Sequence, residues 1–224
     1  VFDEVEKSFL FVFNGNYNLQ SPIPSSYAIS TNAHIPSKPT SFTNWEAAGL
    51  GLVYGISQLL GSDSLEVLTV LSKLDAVAGR FQFVKSSKQV VAIVDYAHTP
   101  DALKNVLDTI NEIRTHNENV ITIVGCGGNR DKAKRPDMAH IASELSNKVI
   151  LTSDNPRNES AEEIITEMKV GVPAYNSGKV MSITDRREAI RVACNLANQN
   201  DIILLAGKGH EKYQEIKGVK QPFD

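Results

Sequence analysis

From about residue 83 onward, short apolar runs alternate with stretches whose apolar positions recur every three or four residues. The short runs predict buried strands and the periodic stretches predict amphipathic helices. Strands are expected at Val90 to Val94, Val120 to Val124, Val149 to Thr152, Val180 to Ile183 and Ile202 to Ala206, with a sixth at Lys212 to Ile216. A first helix opens at Thr99-Pro100, the cap standing before the proline, and carries Leu103, Val106, Leu107, Ile110 and Ile113 on one face. Met138, Ile141, Ala142 and Leu145 mark the second. Ser160 with Glu163, and Asp185 with Glu188, have the capping-box spacing that starts two more. Strands alternating with helices predict an α/β, Rossmann-like fold: a mostly parallel sheet of about six strands with helices on both faces.

The first 82 residues follow no such rhythm. Ser8 to Phe13 reads as a strand and Asn14-Gly15-Asn16 as a turn. Residues 21 to 44 are loop-like, with Pro22, Pro24, Pro36 and Pro39 among many polar residues. Trp45 to Leu60 places Trp45, Ala48, Leu52, Ile56 and Leu59 near one stripe and predicts a helix, weakened by Gly49, Gly51 and Gly55. Ser64 to Leu74 predicts a second, shorter one. Both ends of the chain look cut, as in a piece of a longer protein.

Composition narrows the class. The 224 residues are 42% hydrophobic with a net charge of −3 and a sequence pI near 6.0. That balance argues against a general nucleic-acid or membrane-surface binder. No run approaches the roughly 20 apolar residues of a membrane span. Cys126 and Cys194 have no metal-ligand spacing and read as reduced thiols of a cytoplasmic protein.

Four expected strand ends carry unusual residues. Open α/β sheets bind ligands at the carboxyl ends of their strands. After the first strand comes Asp95-Tyr96-Ala97-His98, where a carboxylate suits ribose hydroxyls and a histidine suits a base or phosphate; capping and a backbone-satisfied histidine explain these residues equally well. After the second comes Gly125-Cys126-Gly127-Gly128-Asn129-Arg130-Asp131-Lys132, then Lys134-Arg135. Its glycines let backbone amides approach an anion, and its cations add positive potential, though a solvated basic turn has the same look. After the third comes Asp154-Asn155-Pro156-Arg157: a carboxylate for an ammonium, a planar guanidinium for a carboxylate, and a proline that stiffens the loop. Such a set grips a zwitterion, whereas four residues alone also read as a helix-entry loop. After the fifth comes Gly207-Lys208-Gly209-His210-Glu211, again suited to a small charged molecule. No G-x4-G-K-[ST] loop and no G-x-S-x-G elbow occurs in the chain.

VDYAHTPDAL (Val94 to Leu103), GCGGNRDKAKRP (Gly125 to Pro136), SDNPR (Ser153 to Arg157) and AGKGHE (Ala206 to Glu211) stand in the order seen in Mur ligases. The chain resembles that family from about residue 64 to its end, and most of all the branch that adds the third residue of the peptidoglycan stem peptide. The resemblance implies an ATP-dependent ligase. In that chemistry ATP phosphorylates the D-glutamate carboxylate of UDP-N-acetylmuramoyl-L-alanyl-D-glutamate, and the amine of a diamino acid attacks the acyl phosphate. It implies a diamino-acid site of Arg130, Asp154, Asn155, Arg157, Gly207 and Glu211. Arg130 stands at one carboxylate, Asn155 and Arg157 at the distal carboxylate, and Asp154, Gly207 and Glu211 around the distal ammonium. It implies ATP contacts at Arg80, at Asp95 on the ribose, at His98, and at Lys132 facing phosphate. The guanidinium of Arg157 selects meso-diaminopimelate over L-lysine, which ends in an ammonium alone. Residues 1–82 are expected to be the incomplete tail of the central ATPase domain and 83–224 the C-terminal domain. The family's phosphate loop, carbamylated lysine and magnesium-binding glutamate belong to the central domain and are not in this sequence, so ATP and Mg2+ are expected to be held mainly elsewhere and the segment alone to be inactive. The expected partners are these small molecules, with no nucleic acid and no membrane, and the expected state is a monomer. A folylpolyglutamate synthetase-like ligase and a non-catalytic binding module are the alternatives.

Overall fold

The computed structural model describes residues 44–72 and 78–223. The chain divides into two compact units, Val1–Asp75 and Ala76–Asp224. The strand expected at Ser8 to Phe13, its turn, and the loop-like stretch up to residue 43 lie outside the described residues.

In the first unit, α1 (Asn44–Leu59) and α2 (Ser64–Leu71) are described. Helix α1 forms despite its glycines, and Leu52, Ile56 and Leu59 of the expected apolar stripe are exposed. Asp63 starts α2 by accepting the Glu66 N–H at 2.9 Å.

The second unit is an α/β sandwich. In chain order it holds β1 (Gln82–Lys85), β2 (Val91–Asp95), α3 (Pro100–Ile113), β3 (Val120–Val124), α4 (Lys134–Leu145), β4 (Lys148–Leu151), α5 (Ala161–Lys169), β5 (Val180–Ser182), α6 (Arg186–Leu196), β6 (Ile202–Ala206), and a hairpin of β7 (Tyr213–Ile216) and β8 (Val219–Pro222). The main sheet has six strands in the order β1-β2-β6-β3-β4-β5. Strands β2, β6, β3, β4 and β5 run parallel, and β1 pairs antiparallel with β2.

One element differs from the sequence expectation. The sixth strand of the main sheet is Gln82–Lys85, whereas Tyr213–Ile216 pairs with Val219–Pro222 in a separate sheet. The cause is local. Lys217 and Gly218 have φ of 49° and 76°, and two successive positive φ values make the tight hairpin turn that matches strand twist. The turn folds β8 back onto β7, and Ile216 at the end of β7 bridges Arg157 of the loop after β4 and not a strand of the main sheet.

The helix starts follow from their caps. Thr99 accepts the Ala102 N–H at 3.3 Å, Ser160 the Glu163 N–H at 3.3 Å and Asp185 the Glu188 N–H at 2.9 Å. Strand β3 is buried along its whole length, as a parallel strand covered on both faces must be. Val120 and Val124 face the layer of α3, α4 and α5, packing with Leu103, Leu107, Met138 and Ile164. Ile121 and Ile123 face α6 through Ala189 and Ala193.

Candidate functional site

Because β2, β6, β3 and β4 are parallel neighbours, the four loops singled out in the sequence emerge at one edge of the sheet. Backbone and side-chain bonds knit them together. Gly207 N donates to Asp95 O at 3.0 Å and Gly128 N to Asn155 O at 2.9 Å. Lys134 Nζ donates to His98 O at 2.7 Å.

The loops after β4 and β6 form one side. Asn155 is buried, and its amide is fully oriented: Nδ2 donates to Glu211 Oε2 at 2.8 Å, and Oδ1 accepts Lys208 Nζ and Glu215 N, each at 2.9 Å. Arg157 has a φ of 53°, in the left-handed region that costs a side-chain-bearing residue about 1–2 kcal/mol. Its Nη1 donates to Gly128 O at 2.8 Å, and its Nε lies 3.3 Å from Glu215 Oε2. The carboxylate of Asp154 has no hydrogen-bond partner among the described residues, while its backbone oxygen accepts Gln214 Nε2 at 2.7 Å. Gly207, at φ +109°, lets that carboxylate lie on the backbone: a Cβ there would stand 3.0 Å from Asp154 Oδ2. Arg130 is exposed, and none of the described residues takes its guanidinium.

The β2 side holds Arg80, Asp95 and His98, which the sequence reading gave to ATP. The Arg80 guanidinium sits 4.7 Å over the Tyr96 ring, which lies 4.7 Å from the His98 ring and 5.3 Å from that of His210. These flat faces suit a base. Asp95 is nearly buried, and its oxygens accept the N–H groups of Phe81 (2.7 Å) and Ala97 (2.8 Å). A ribose hydroxyl would donate to a carboxylate already engaged by the backbone. Gly79 closes this side, since a Cβ on it would stand 2.1 Å from His210 N.

Lys132 is placed apart from these three. Its ammonium lies 3.1 Å from Glu159 and 3.8 Å from Glu167, around the fully buried guanidinium of Arg135. Arg135 donates to both oxygens of Glu159, at 2.9 and 3.0 Å, to Glu167 at 2.5 Å and to Gly127 O at 3.3 Å. The Arg135 hydrogen bonds, with the Asn129 N–H, hold the Glu159 carboxyl down at about 2. This network braces the glycine-rich loop from below.

Arg186 and Glu215 escaped the sequence reading, and Lys208 was read only as part of the loop after the fifth strand. Lys208 and Arg186 are buried cations beneath the site. Arg186 donates to Ala206 O at 2.8 Å and to Ser153 O at 3.5 Å, so it ties β6 to the β4 loop. Burial pulls the pKa of each down, and the Asp154 and Glu211 carboxylates oppose that shift. A signal for Arg186 existed: a cation in the first turn of a helix opposes the helix dipole and needs another use. Glu215 carried none, since a glutamate on a short surface hairpin looks like any solvated charge.

The model of the Mur ligase glutamate ligase domain matches residues 79–209. This chain belongs to the Mur ligase family. The UDP-N-acetylmuramoyl-L-alanyl-D-glutamate–2,6-diaminopimelate ligase of Cytophaga hutchinsonii is 59% identical over 181 residues, 81% of this chain and 37% of that protein. The ligase of the same name from Phocaeicola vulgatus is 57% identical over 180 residues, 80% of this chain and 37% of that protein. A solved structure of a ligase of that name superposes with a TM-score of 0.62 at 39% identity, over 82% of this Mur ligase chain and 37% of the other. The UDP-N-acetylmuramate–alanine ligase of Thermotoga maritima shares the fold, at a TM-score of 0.57 and 22% identity, over 75% of this chain and 35% of its own. This Mur ligase chain therefore spans about 37% of the length of the curated relatives it matches.

Proposed function

We propose that this chain is the amino-acid-binding C-terminal part of a ligase that joins meso-diaminopimelate to UDP-N-acetylmuramoyl-L-alanyl-D-glutamate with ATP, in peptidoglycan biosynthesis. In this reading residues 83–224 are its C-terminal domain and residues 1–82 the tail of the central one. The protein works in the cytoplasm as a monomer on small molecules. No helix among the described residues is long and apolar enough to cross a membrane.

One observation carries the reading. Asp154, a carboxylate without a hydrogen-bond partner among the described residues, and Arg157, a guanidinium, share a loop pinned by strand β7. An acceptor for an ammonium and a donor for a carboxylate are thus held at fixed spacing, which is what the far end of meso-diaminopimelate requires. Arg130 supplies a second guanidinium for the carboxylate next to the reacting amine. Glu211 and Gly207 complete the ammonium side. The names of relatives at 53–59% identity support the same substrate. A glutamate-adding, folylpolyglutamate synthetase-like enzyme has no distal zwitterion for these groups to hold.

The Arg80, Tyr96 and His98 faces would take the base of ATP, with Asp95 at the ribose and Lys132 turned to phosphate after leaving Glu159. ATP supplies the phosphoryl group that activates the D-glutamate carboxylate. This chain's share is to hold the incoming amine in line, a large part of the barrier in such reactions. Among the described residues no three or more His, Cys, Asp or Glu side chains cluster as a metal site, and in this reading Mg2+ is held mainly by the rest of the enzyme.

The test is phosphate release by the full-length protein. Release should require ATP, the UDP-linked dipeptide and meso-diaminopimelate together. L-Lysine leaves Arg157 without its anion, at about 2–5 kcal/mol, and should lower kcat/KM by roughly 30-fold or more. Equal use of L-lysine would refute the role given to Arg157.

A further inference from the structure

Lys208 follows Gly207 in the loop after β6, yet its side chain turns inward and the residue is only 4% exposed. Lysine is almost never this buried unless its charge is paired. Its ammonium has three N–H groups, and the structure offers three acceptors: Asn155 Oδ1 at 2.9 Å, Tyr213 O at 2.6 Å and Glu211 Oε2 at 3.5 Å. They come from three segments: the loop after β4, the loop after β6 and the start of β7. No donor is left over for a substrate.

Two of the three acceptors belong to side chains assigned to the diamino acid. Asn155 Nδ2 also donates to Glu211 Oε2 at 2.8 Å, so Lys208, Asn155 and Glu211 form a closed triangle. The triangle decides which way the Asn155 amide faces, because Oδ1 meets two donors and Nδ2 meets an acceptor. It also decides where the Glu211 carboxylate stands. Removing the ammonium would leave Glu211 with the Asn155 amide alone and free β7 from the β6 loop at Tyr213.

We propose that Lys208 is a positioning residue of the diamino-acid site, setting Asn155 and Glu211 in one geometry without touching the substrate itself. This rests on the reading of that site as the place of meso-diaminopimelate. A displacement of about 1 Å in a substrate-holding group costs on the order of 100-fold in rate, so the effect belongs in the kinetics and not in stability alone.

The experiment is steady-state kinetics of the full-length protein and its Lys208→Met variant, with thermal melting of both. The expected result is a KM for meso-diaminopimelate raised about tenfold or more while the KM for ATP stays within about twofold. A purely structural role would lower the melting temperature and the active fraction, and so kcat, but leave both KM values alone. A folded Lys208→Met with an unchanged KM for meso-diaminopimelate overturns the proposal while the assigned substrate stands. A wild-type protein that does not use meso-diaminopimelate overturns both. Should Lys208→Met not fold, Lys208→Arg keeps the charge, but its longer planar head cannot meet the same three acceptors. The same split between the two KM values, at smaller size, is expected there, and its absence overturns the proposal equally.

Discussion

Glu215 grips Arg157 through both backbone and side chain. Its carbonyl accepts the Arg157 N–H at 3.0 Å, and its Oε2 lies 3.3 Å from Arg157 Nε. Lys217 completes the hold by donating its N–H to Arg157 O at 2.7 Å. These two backbone bonds offset the cost of the left-handed backbone at Arg157. The ion pair turns the guanidinium so that Nη1 reaches Gly128 O across the site.

The side-chain part of that grip should contribute little to stability. Both side chains keep contact with water, at 22% and 25% exposure, and such pairs are worth about 0–1 kcal/mol. Glu215→Ala is expected to lower unfolding free energy in urea by less than about 1 kcal/mol. A loss well above that would mean that Glu215 supports the loop by more than its charge.

Arg157→Ala is expected to act on the proposed ligand. In the full-length protein it should raise the KM for meso-diaminopimelate by about tenfold or more while leaving that for ATP near its wild-type value. A variant that loses affinity for both equally would place Arg157 in the general architecture of the loop and not at the amino acid.

Glu159 links the glycine-rich loop to pH. Its folded pKa is held at about 2, against an ordinary 4.5, chiefly by the Arg135 hydrogen bonds. A depressed carboxyl pKa stabilises the fold fully above the unfolded value, and that stability is lost as pH falls from about 4.5 through about 2. Unfolding followed by circular dichroism should show this acid loss in the wild-type chain and a weaker dependence in Glu159→Gln. At neutral pH Glu159→Gln should cost about 1–3 kcal/mol, because Arg135 keeps Glu167 but loses the charge of its two-bond carboxylate partner. A pH profile identical to wild type would show that the Arg135 pair is not ionised as described.

Gly128→Ala should damage the site through the backbone. A Cβ at this position would stand 1.9 Å from the Pro156 carbonyl oxygen, well inside contact distance. The glycine-rich loop and the Asp154–Arg157 loop must then separate, breaking the Gly128 N to Asn155 O bond. The expected cost is roughly 1–3 kcal/mol, with weaker use of meso-diaminopimelate in the full-length protein. Wild-type stability in the variant would contradict the close approach of the two loops.

Most elements of the second unit, and the residue chemistry of its loops, were legible in the sequence. Strands such as Val120–Val124 and caps such as Thr99, Ser160 and Asp185 are set by neighbours within a few residues, so periodicity and local hydrogen bonding are enough to read them. The four motifs were legible for the same reason, each lying within a dozen consecutive residues. Tertiary structure alone decided which loops meet. Strand β6 inserts between β2 and β3, which brings Gly207 to Asp95 and Lys208 to Asn155 from more than 50 positions away along the chain. It alone gave Lys132 to Glu159, Arg135 to the underside of the glycine-rich loop, and Glu215 to Arg157. It also made Gln82–Lys85 the edge of the main sheet and left Tyr213–Ile216 to its own hairpin. A polar or charged residue shows its type in sequence, but its partner is set by the packing of distant segments. The buried lysine, the two buried arginines and the engaged aspartate all owe their roles to that packing.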